Sequence, residues 1–195
     1  MKLEKSQTVH FSGIGGSGMS AIARMLLAMG YPVSGSDIKE NALTKELTSL
    51  GASIFLQQQA SNLDNADILV VSTAIKDDNS EMKAAQLKSI PIYKRAECLS
   101  WIMDQFKTRI AVTGTHGKTT TSSLLARAYS VANLNPSFAV GAVLNDFKVN
   151  ALLDDKGDVF IAEADESDGS FLCLNPSDAI ISNLEEDHMD YFKTF

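Results

Sequence analysis

The chain has 195 residues, of which 45% are hydrophobic, 21% charged and 7% aromatic, a composition that excludes a disordered or fibrous protein and suits one large or two small globular domains. Its 17 basic and 24 acidic residues give a net charge of −7, which disfavours nucleic-acid and membrane partners but leaves room for a small polyanion held by local donors. No uncharged apolar run approaches the ~20 residues that cross a bilayer, residues 1–7 are polar, and Cys98 and Cys173 lack CxxC spacing, so the expectation is reduced thiols in a cytoplasmic protein without a secretion leader.

In chain order, a strand over 9–12 is followed by glycines and a helix over 19–29, with Ile22, Met25, Leu26 and Met29 on one face. Gly30 reads as its C-cap. A strand over 33–36, a helix over 42–50 ended by Gly51, and a brief strand over 53–55 follow. The apolar run over 68–71 reads as a strand buried on both faces. A helix over 81–88, a strand over 91–93 and a helix over 96–106 complete a first unit, with a domain boundary near residue 107. The second unit reads as a strand over 109–113, a glycine turn over 114–118, a helix over 119–131, and strands over 136–140, 158–163 and 179–182. Such alternation argues for parallel sheets covered by helices. The last residues, DHMDYFKTF, read as the start of a helix, so a longer parent protein is expected.

Gly13-Ile14-Gly15-Gly16-Ser17-Gly18 fits G-x-G-x-x-G between a strand and a helix. In that pattern the first glycine permits a tight turn, the second lets backbone approach a pyrophosphate, and the third permits close helix–strand packing. The N–H groups at the helix start face the phosphates. Asp37 stands at the end of the second strand, where an acid bonds a ribose hydroxyl or simply caps a helix. The motif alone does not separate NAD from another diphosphate nucleotide.

Thr113-Gly114-Thr115-His116-Gly117-Lys118-Thr119-Thr120 is the sharper signal. Backbone N–H groups of such a loop cradle phosphates, Lys118 reaches the β- and γ-phosphates, and the Thr119 hydroxyl binds Mg²⁺. Only two residues separate its glycines, against the usual four, which counts against an ordinary P-loop phosphotransferase. His116 reads as structural in preference to catalytic. Glu163 follows a buried strand and opens a cluster with Asp165, Glu166 and Asp168. It suits a hard cation, although a run of acids is also what a solvated turn looks like. A cation or a lysine would relieve the mutual repulsion of the four acids. The polar segment Asn183 to His188 follows the next strand; His188 reads equally well as a cation ligand or a surface residue.

Taken in order, TGTHGKTT, EADESD and NLEEDH resemble the Mur ligase family, whose central domain carries TGTxGKT, an acid at a following strand end and an N-x-x-x-D-H segment. HFSGIGGSGMSAIA, SGSD, VVSTAI and RAE are similar to the first domain of its alanine-adding member. The resemblance covers nearly the whole chain. It implies an α/β fold, with a Rossmann-like parallel-sheet N-terminal domain at 1–107 that binds a UDP-sugar, and a truncated P-loop-type α/β central domain at 108–195 that binds ATP. It implies ATP- and Mg²⁺-dependent ligation of L-alanine to UDP-N-acetylmuramate through an acyl phosphate. Carried over by motif, the UDP-sugar residues are Gly15, Gly16, Ser17, Gly18 and Met19, with Asp37, Ser72, Thr73 and Arg95 around them. The ATP loop is Gly114, Thr115, His116, Gly117, Lys118, Thr119 and Thr120. Thr119, Glu163 and His188 are the implied Mg²⁺ ligands, and Lys118, Glu163 and His188 the catalytic set. The segment from Glu166 to Asp168 would border the muramoyl group. The family's third domain, which holds the adenine and the amino acid, has no counterpart in these residues, so this stretch by itself is expected to be inactive. The rivals are a ligase that recycles murein peptide, a non-catalytic nucleotide-binding fragment, and a nicotinamide-dependent oxidoreductase.

Overall fold

Residues 1–167 and 169–194 are described by the structure, a computed structural model; expectations placed on Asp168 lie outside them. The chain divides into two compact units, Met1–Cys98 and Leu99–Phe195.

The first unit runs β1 (Val9–Ser12), α1 (Ser17–Ala28), β2 (Val33–Ser36), α2 (Ala42–Ser49), β3 (Ser53–Phe55), a 3₁₀ turn at Ala60–Leu63, β4 (Ile68–Val71), α3 (Ser80–Leu87) and β5 (Ile92–Lys94). Helix α4 (Arg95–Met103) begins within it. The five strands form a parallel sheet in the order β3-β2-β1-β4-β5. Every residue of β1, β2 and β4 is buried, as expected of a parallel sheet covered on both faces. Strand order reverses between β1 and β4, so the crevice beyond their carboxyl ends is where such a sheet binds ligands. The first glycine loop leaves β1 at that point. Helix α1 buries Met19, Ile22, Ala23, Met25 and Leu26, the face expected from the sequence. It starts two residues earlier than its apolar spacing suggested, because its N-cap is Gly16, which carries no capping side chain.

The second unit runs β6 (Thr108–Thr113), α5 (Lys118–Val131), β7 (Ser137–Leu144), β8 (Val149–Leu152), β9 (Val159–Glu163), a 3₁₀ turn at Ser170–Cys173, β10 (Asp178–Ile181) and a short α6 (Met189–Phe192). Its sheet has the order β10-β6-β9-β7-β8. Four strands are parallel, and β8 runs antiparallel to β7. The core packs Ile110, Val112, Ala126, Phe138, Val140, Leu144, Val159 and Ile161, with the Phe138 and Phe147 rings edge to face at 4.9 Å.

Two features depart from the sequence reading. Strand β7 continues to Leu144 rather than stopping at Val140, through a register irregularity between Ala139 and Leu144, which lets a strand run on past a glycine. It then turns into β8, which carries the buried Asn150 and shows too short an alternation to stand out. Helix α4 ends at Met103, earlier than the 96–106 helix expected, and the division between the units falls inside it. Among the described residues no helix is long and apolar enough to cross a membrane. Cys98 is buried and Cys173 exposed, both as free thiols.

Candidate functional site

The first loop is held from below by its own strands. Gly13 takes a left-handed conformation, φ +82°, and the N–H groups of Gly13 and Ile14 both donate to the Ser36 carbonyl, at 2.8 and 3.0 Å. This is the tight turn expected of the first glycine. Gly15 is held on both sides by side chains. Its N–H donates to Asp37 Oδ2 at 2.8 Å, and its carbonyl accepts from Asn41 Nδ2 at 3.0 Å. A Cβ on Gly15 would lie 2.7 Å from Asp37 Oδ2 and 2.8 Å from Asn41 Nδ2, so these side chains fill the space that the missing side chain leaves. At Gly18 a Cβ would lie 3.2 Å from Arg95 Cδ and 3.3 Å from its Nη1; here the glycine admits an arginine in place of a strand.

Arg95 is therefore at the mouth of α1, and Ser72 lies against the turn, its Oγ 3.4 Å from the Cβ position of Gly13. Thr73 follows Ser72 and is exposed. Met19 is only 2% exposed, so its side chain belongs to the core and only its main chain can serve a ligand. Asp37 Oδ1 also accepts from Lys39 N–H at 3.3 Å, so both oxygens of this acid engage backbone.

Beneath the loop lies a carboxylate that no motif or spacing singles out. Glu81, at the start of α3, is wholly buried. Its Oε2 accepts from Ser12 Oγ at 2.5 Å and Ser36 Oγ at 2.7 Å. Its Oε1 accepts from Asn62 Nδ2 at 2.8 Å and stands 3.2 Å from His10 Nε2. Burial pushes its pKa up, but the hydrogen bonds from His10, Ser12, Asn62 and Ser36 together outweigh that and hold it below its ordinary value. The acid thus ties the ends of β1 and β2, from which the loop and Asp37 emerge, to α3.

In the second unit, Gly117 is the N-cap of α5 with φ +83°, and Lys118 opens the helix. Lys118 Nζ donates to the Gly114 carbonyl at 2.8 Å and to Glu166 Oε1 at 2.8 Å, with Thr115 O at 3.4 Å. Thr119 Oγ1 donates to the Glu163 carboxylate, 2.9 and 3.0 Å from its two oxygens, and Gly141 N–H donates to Glu163 Oε2 at 2.8 Å. The loop itself is fixed by the end of β10. His116 N–H donates to Asn183 Oδ1 at 2.9 Å, and the His116 carbonyl accepts from Ser182 Oγ at 2.6 Å and Asn183 Nδ2 at 3.0 Å. It is the backbone of His116 that is structural; its imidazole is exposed, 3.7 Å from Glu185.

His188 Nε2 lies 3.7 Å from Glu166 Oε1 and 3.7 Å from Asp187 Oδ2. The structure therefore brings Lys118, Thr119, Glu163 and His188 to one end of the sheet, with Glu166 as the link between Lys118 and His188. Glu166 Oε2 is buried and has no hydrogen-bond partner among the described residues. Of the acids in this cluster, Glu166 is the one that Lys118 pairs with, at 2.8 Å. Asn183 and Asn41 went unremarked as individual side chains. Asn183 stands in the N-x-x-x-D-H pattern, and Asn41 precedes a helix as an N-cap signal, but neither spacing reveals which loop it holds.

Glu163 and Thr119 offer hard oxygen donors side by side at a helix N-terminus, a set that fits Mg²⁺. Among the described residues no three His, Cys, Asp or Glu side chains converge as a metal cage. Mg²⁺ is commonly held by one or two carboxylates together with substrate phosphates, and this donor set is of that kind.

Residues 8–107 match the model of the Mur ligase family catalytic domain, and residues 112–195 match that of the Mur ligase middle domain. The chain is 50% identical over 188 residues to the UDP-N-acetylmuramate–L-alanine ligase of Nitratidesulfovibrio vulgaris, and 47% identical over 188 residues to that of Geobacter sp. strain M21. Each alignment covers 96% of this chain; the chain spans 41% and 40% of those relatives. Among solved structures, the UDP-N-acetylmuramate:L-alanyl-gamma-D-glutamyl-meso-diaminopimelate ligase of Neisseria meningitides superposes with a TM-score of 0.87 at 32% identity, covering 96% of this chain and 63% of that one. The UDP-N-acetylmuramate-alanine ligase of Thermotoga maritima superposes with a TM-score of 0.85 at 32% identity, covering 96% and 44%. With both domain models matched in order along these two sheets, the chain belongs to the Mur ligase family.

Proposed function

We propose that this chain is the nucleotide-binding part of a cytoplasmic ligase that joins L-alanine to the carboxylate of UDP-N-acetylmuramate at the expense of ATP, in peptidoglycan precursor synthesis. The observation that carries this reading is the second-unit constellation: Lys118 at the mouth of α5, with the Thr119 hydroxyl on Glu163. It is built for a nucleoside triphosphate, and a nicotinamide-dependent oxidoreductase has no task for it. The relatives at 47–50% identity bear the name of the alanine-adding enzyme, which favours L-alanine as the acceptor.

In this reading the backbone amides from Gly114 to Gly117 and the Lys118 ammonium hold the ATP phosphates. Thr119 and Glu163 would hold one Mg²⁺, and His188 a second. The bound ions would neutralise phosphate oxygens so that an anionic acceptor can approach. The diphosphate of the UDP-sugar lies over the loop from Gly15 to Met19 at the mouth of α1, with Arg95 and Ser72 beside it and Asp37 and Thr73 at the rim. The muramoyl carboxylate attacks the γ-phosphorus, ADP leaves, and an acyl phosphate forms. The uncharged amine of L-alanine then adds to the acyl carbon, and the tetrahedral intermediate expels inorganic phosphate. No side-chain nucleophile is required; positioning and charge stabilisation supply the rate.

Phosphate release by the full-length product of the gene encoding this chain tests the proposal. Release should require ATP, Mg²⁺, UDP-N-acetylmuramate and L-alanine together. Release with the tripeptide L-alanyl-γ-D-glutamyl-meso-diaminopimelate in place of L-alanine would assign the protein to the peptide-recycling reaction instead, and release indifferent to UDP-N-acetylmuramate would refute both.

A further inference from the structure

We propose that Asn41 is a positioning residue for the diphosphate loop, one half of a two-sided grip on Gly15. This rests on the reading of the first loop as a UDP site. The Ile14–Gly15 peptide is fixed by the bond from Gly15 N–H to Asp37 Oδ2, 2.8 Å. The next peptide, Gly15–Gly16, is held at its carbonyl by the bond from Asn41 Nδ2, 3.0 Å, and at its N–H by a longer bond to the Gly13 carbonyl, 3.3 Å. Each peptide is a rigid plane, so pinning two in succession sets both backbone dihedrals of Gly15. It also sets the direction in which the chain enters α1 at Ser17, and so the aim of the first amides of that helix. Glycine has the widest backbone freedom of any residue, and an ungripped Gly15 would let these amides wander from a ligand.

Asn41 is itself anchored. Its Oδ1 accepts from Thr44 N–H at 2.9 Å, and its own N–H donates to Thr44 Oγ1 at 2.9 Å, a reciprocal cap on α2. One oxygen thus caps a helix while the amide nitrogen of the same side chain holds the loop. Serine can supply the cap but lacks the nitrogen and the reach to Gly15. Aspartate can supply the cap but turns an acceptor toward the Gly15 carbonyl. Capping alone therefore does not account for an asparagine here.

The two roles separate in experiment. UDP is titrated calorimetrically into the 195-residue chain as wild type, N41S, N41D and N41A, and each is also melted without ligand. N41S should keep its Tm within about 2 °C, because serine and asparagine cap equally well, yet bind UDP roughly 5-fold more weakly, the effect of one net hydrogen bond. N41D keeps the cap but sets two acceptors against each other, so it should bind UDP more weakly still. N41A should lose affinity and about 3 °C of Tm together, since the cap goes too. Equal UDP affinity in wild type and N41S, or a Tm for N41S as low as that of N41A, overturns the positioning role while leaving the loop as a UDP site. Absence of UDP binding by the wild type overturns the site reading, and the inference with it.

Discussion

Lys118 has three donors, and the structure commits them to Gly114 O, Thr115 O and Glu166 Oε1. An incoming phosphate is thus a competitor of Glu166. The pair is largely shielded, with side chains 17% and 14% exposed, and the second Glu166 oxygen is buried without a hydrogen-bond partner among the described residues. Glu166→Gln removes the competing charge. It should strengthen ATP binding in the presence of a chelator by roughly 5-fold, about the value of one net hydrogen bond; calorimetry showing equal or weaker affinity would contradict this.

Glu81 gives a pH signature. Its folded pKa lies below its ordinary value, so its contribution to stability is present above that value and is lost as pH falls through the folded pKa. Wild type and Glu81→Gln, melted from pH 7 down to pH 3, should differ most at pH 7 and converge on acidification. A constant or widening gap would be incompatible with an ionised buried Glu81. The thiols differ as well. Burial pushes Cys98 up to about 12, while Cys173 is exposed, so iodoacetamide at pH 8 should label Cys173 alone in the folded chain and both in denaturant. Native labelling of Cys98 would show that its helix opens.

At the scale of elements, the packing of β2 against β1 and the loop that leaves it is tight. A Cβ on Gly35 would come within 2.8 Å of both Ile14 Cβ and the Phe11 carbonyl. Gly35→Ala should therefore destabilise the chain by about 1–3 kcal/mol through overpacking, measurable by urea unfolding; an unchanged midpoint would mean that the strands part more easily than their packing indicates. Such close approaches were not legible in the sequence, whereas β1, β2, β3 and β4 were, with unchanged bounds. ILVV carries the apolar signature of burial on both faces, whereas VHFS and VSGS stand out by the Gly13 and Asp37 that end them. Strand β8 left none: VNAL places a buried asparagine where alternation would need an apolar residue. The start of α1 was misplaced because a glycine N-cap carries no capping side chain.

The candidate site was legible to different depths. Lys118, Thr119 and Glu163 were accessible because phosphate and Mg²⁺ chemistry restricts both residue type and place. The restraints on the loops, Asn41 on Gly15 and Asn183 on His116, were not. They depend on chain segments brought together across 26 and 67 residues, which only the folded sheet determines.

For the molecule as a whole, the two loops sit on two different sheets, each within its own compact unit. On the proposed function they have separate tasks, the first loop holding the UDP-sugar and the second ATP. Lys118→Ala in the full-length enzyme tests that division most directly, with turnover followed by phosphate release and UDP-N-acetylmuramate binding followed by calorimetry. Turnover should fall by at least ~10³-fold, the scale of losing a charged group that stabilises a developing phosphoryl anion, while the dissociation constant for UDP-N-acetylmuramate stays within about 2-fold, below the ~1.4 kcal/mol that a tenfold change requires. Undiminished turnover, or a parallel collapse of UDP-N-acetylmuramate binding in a folded variant, would contradict it.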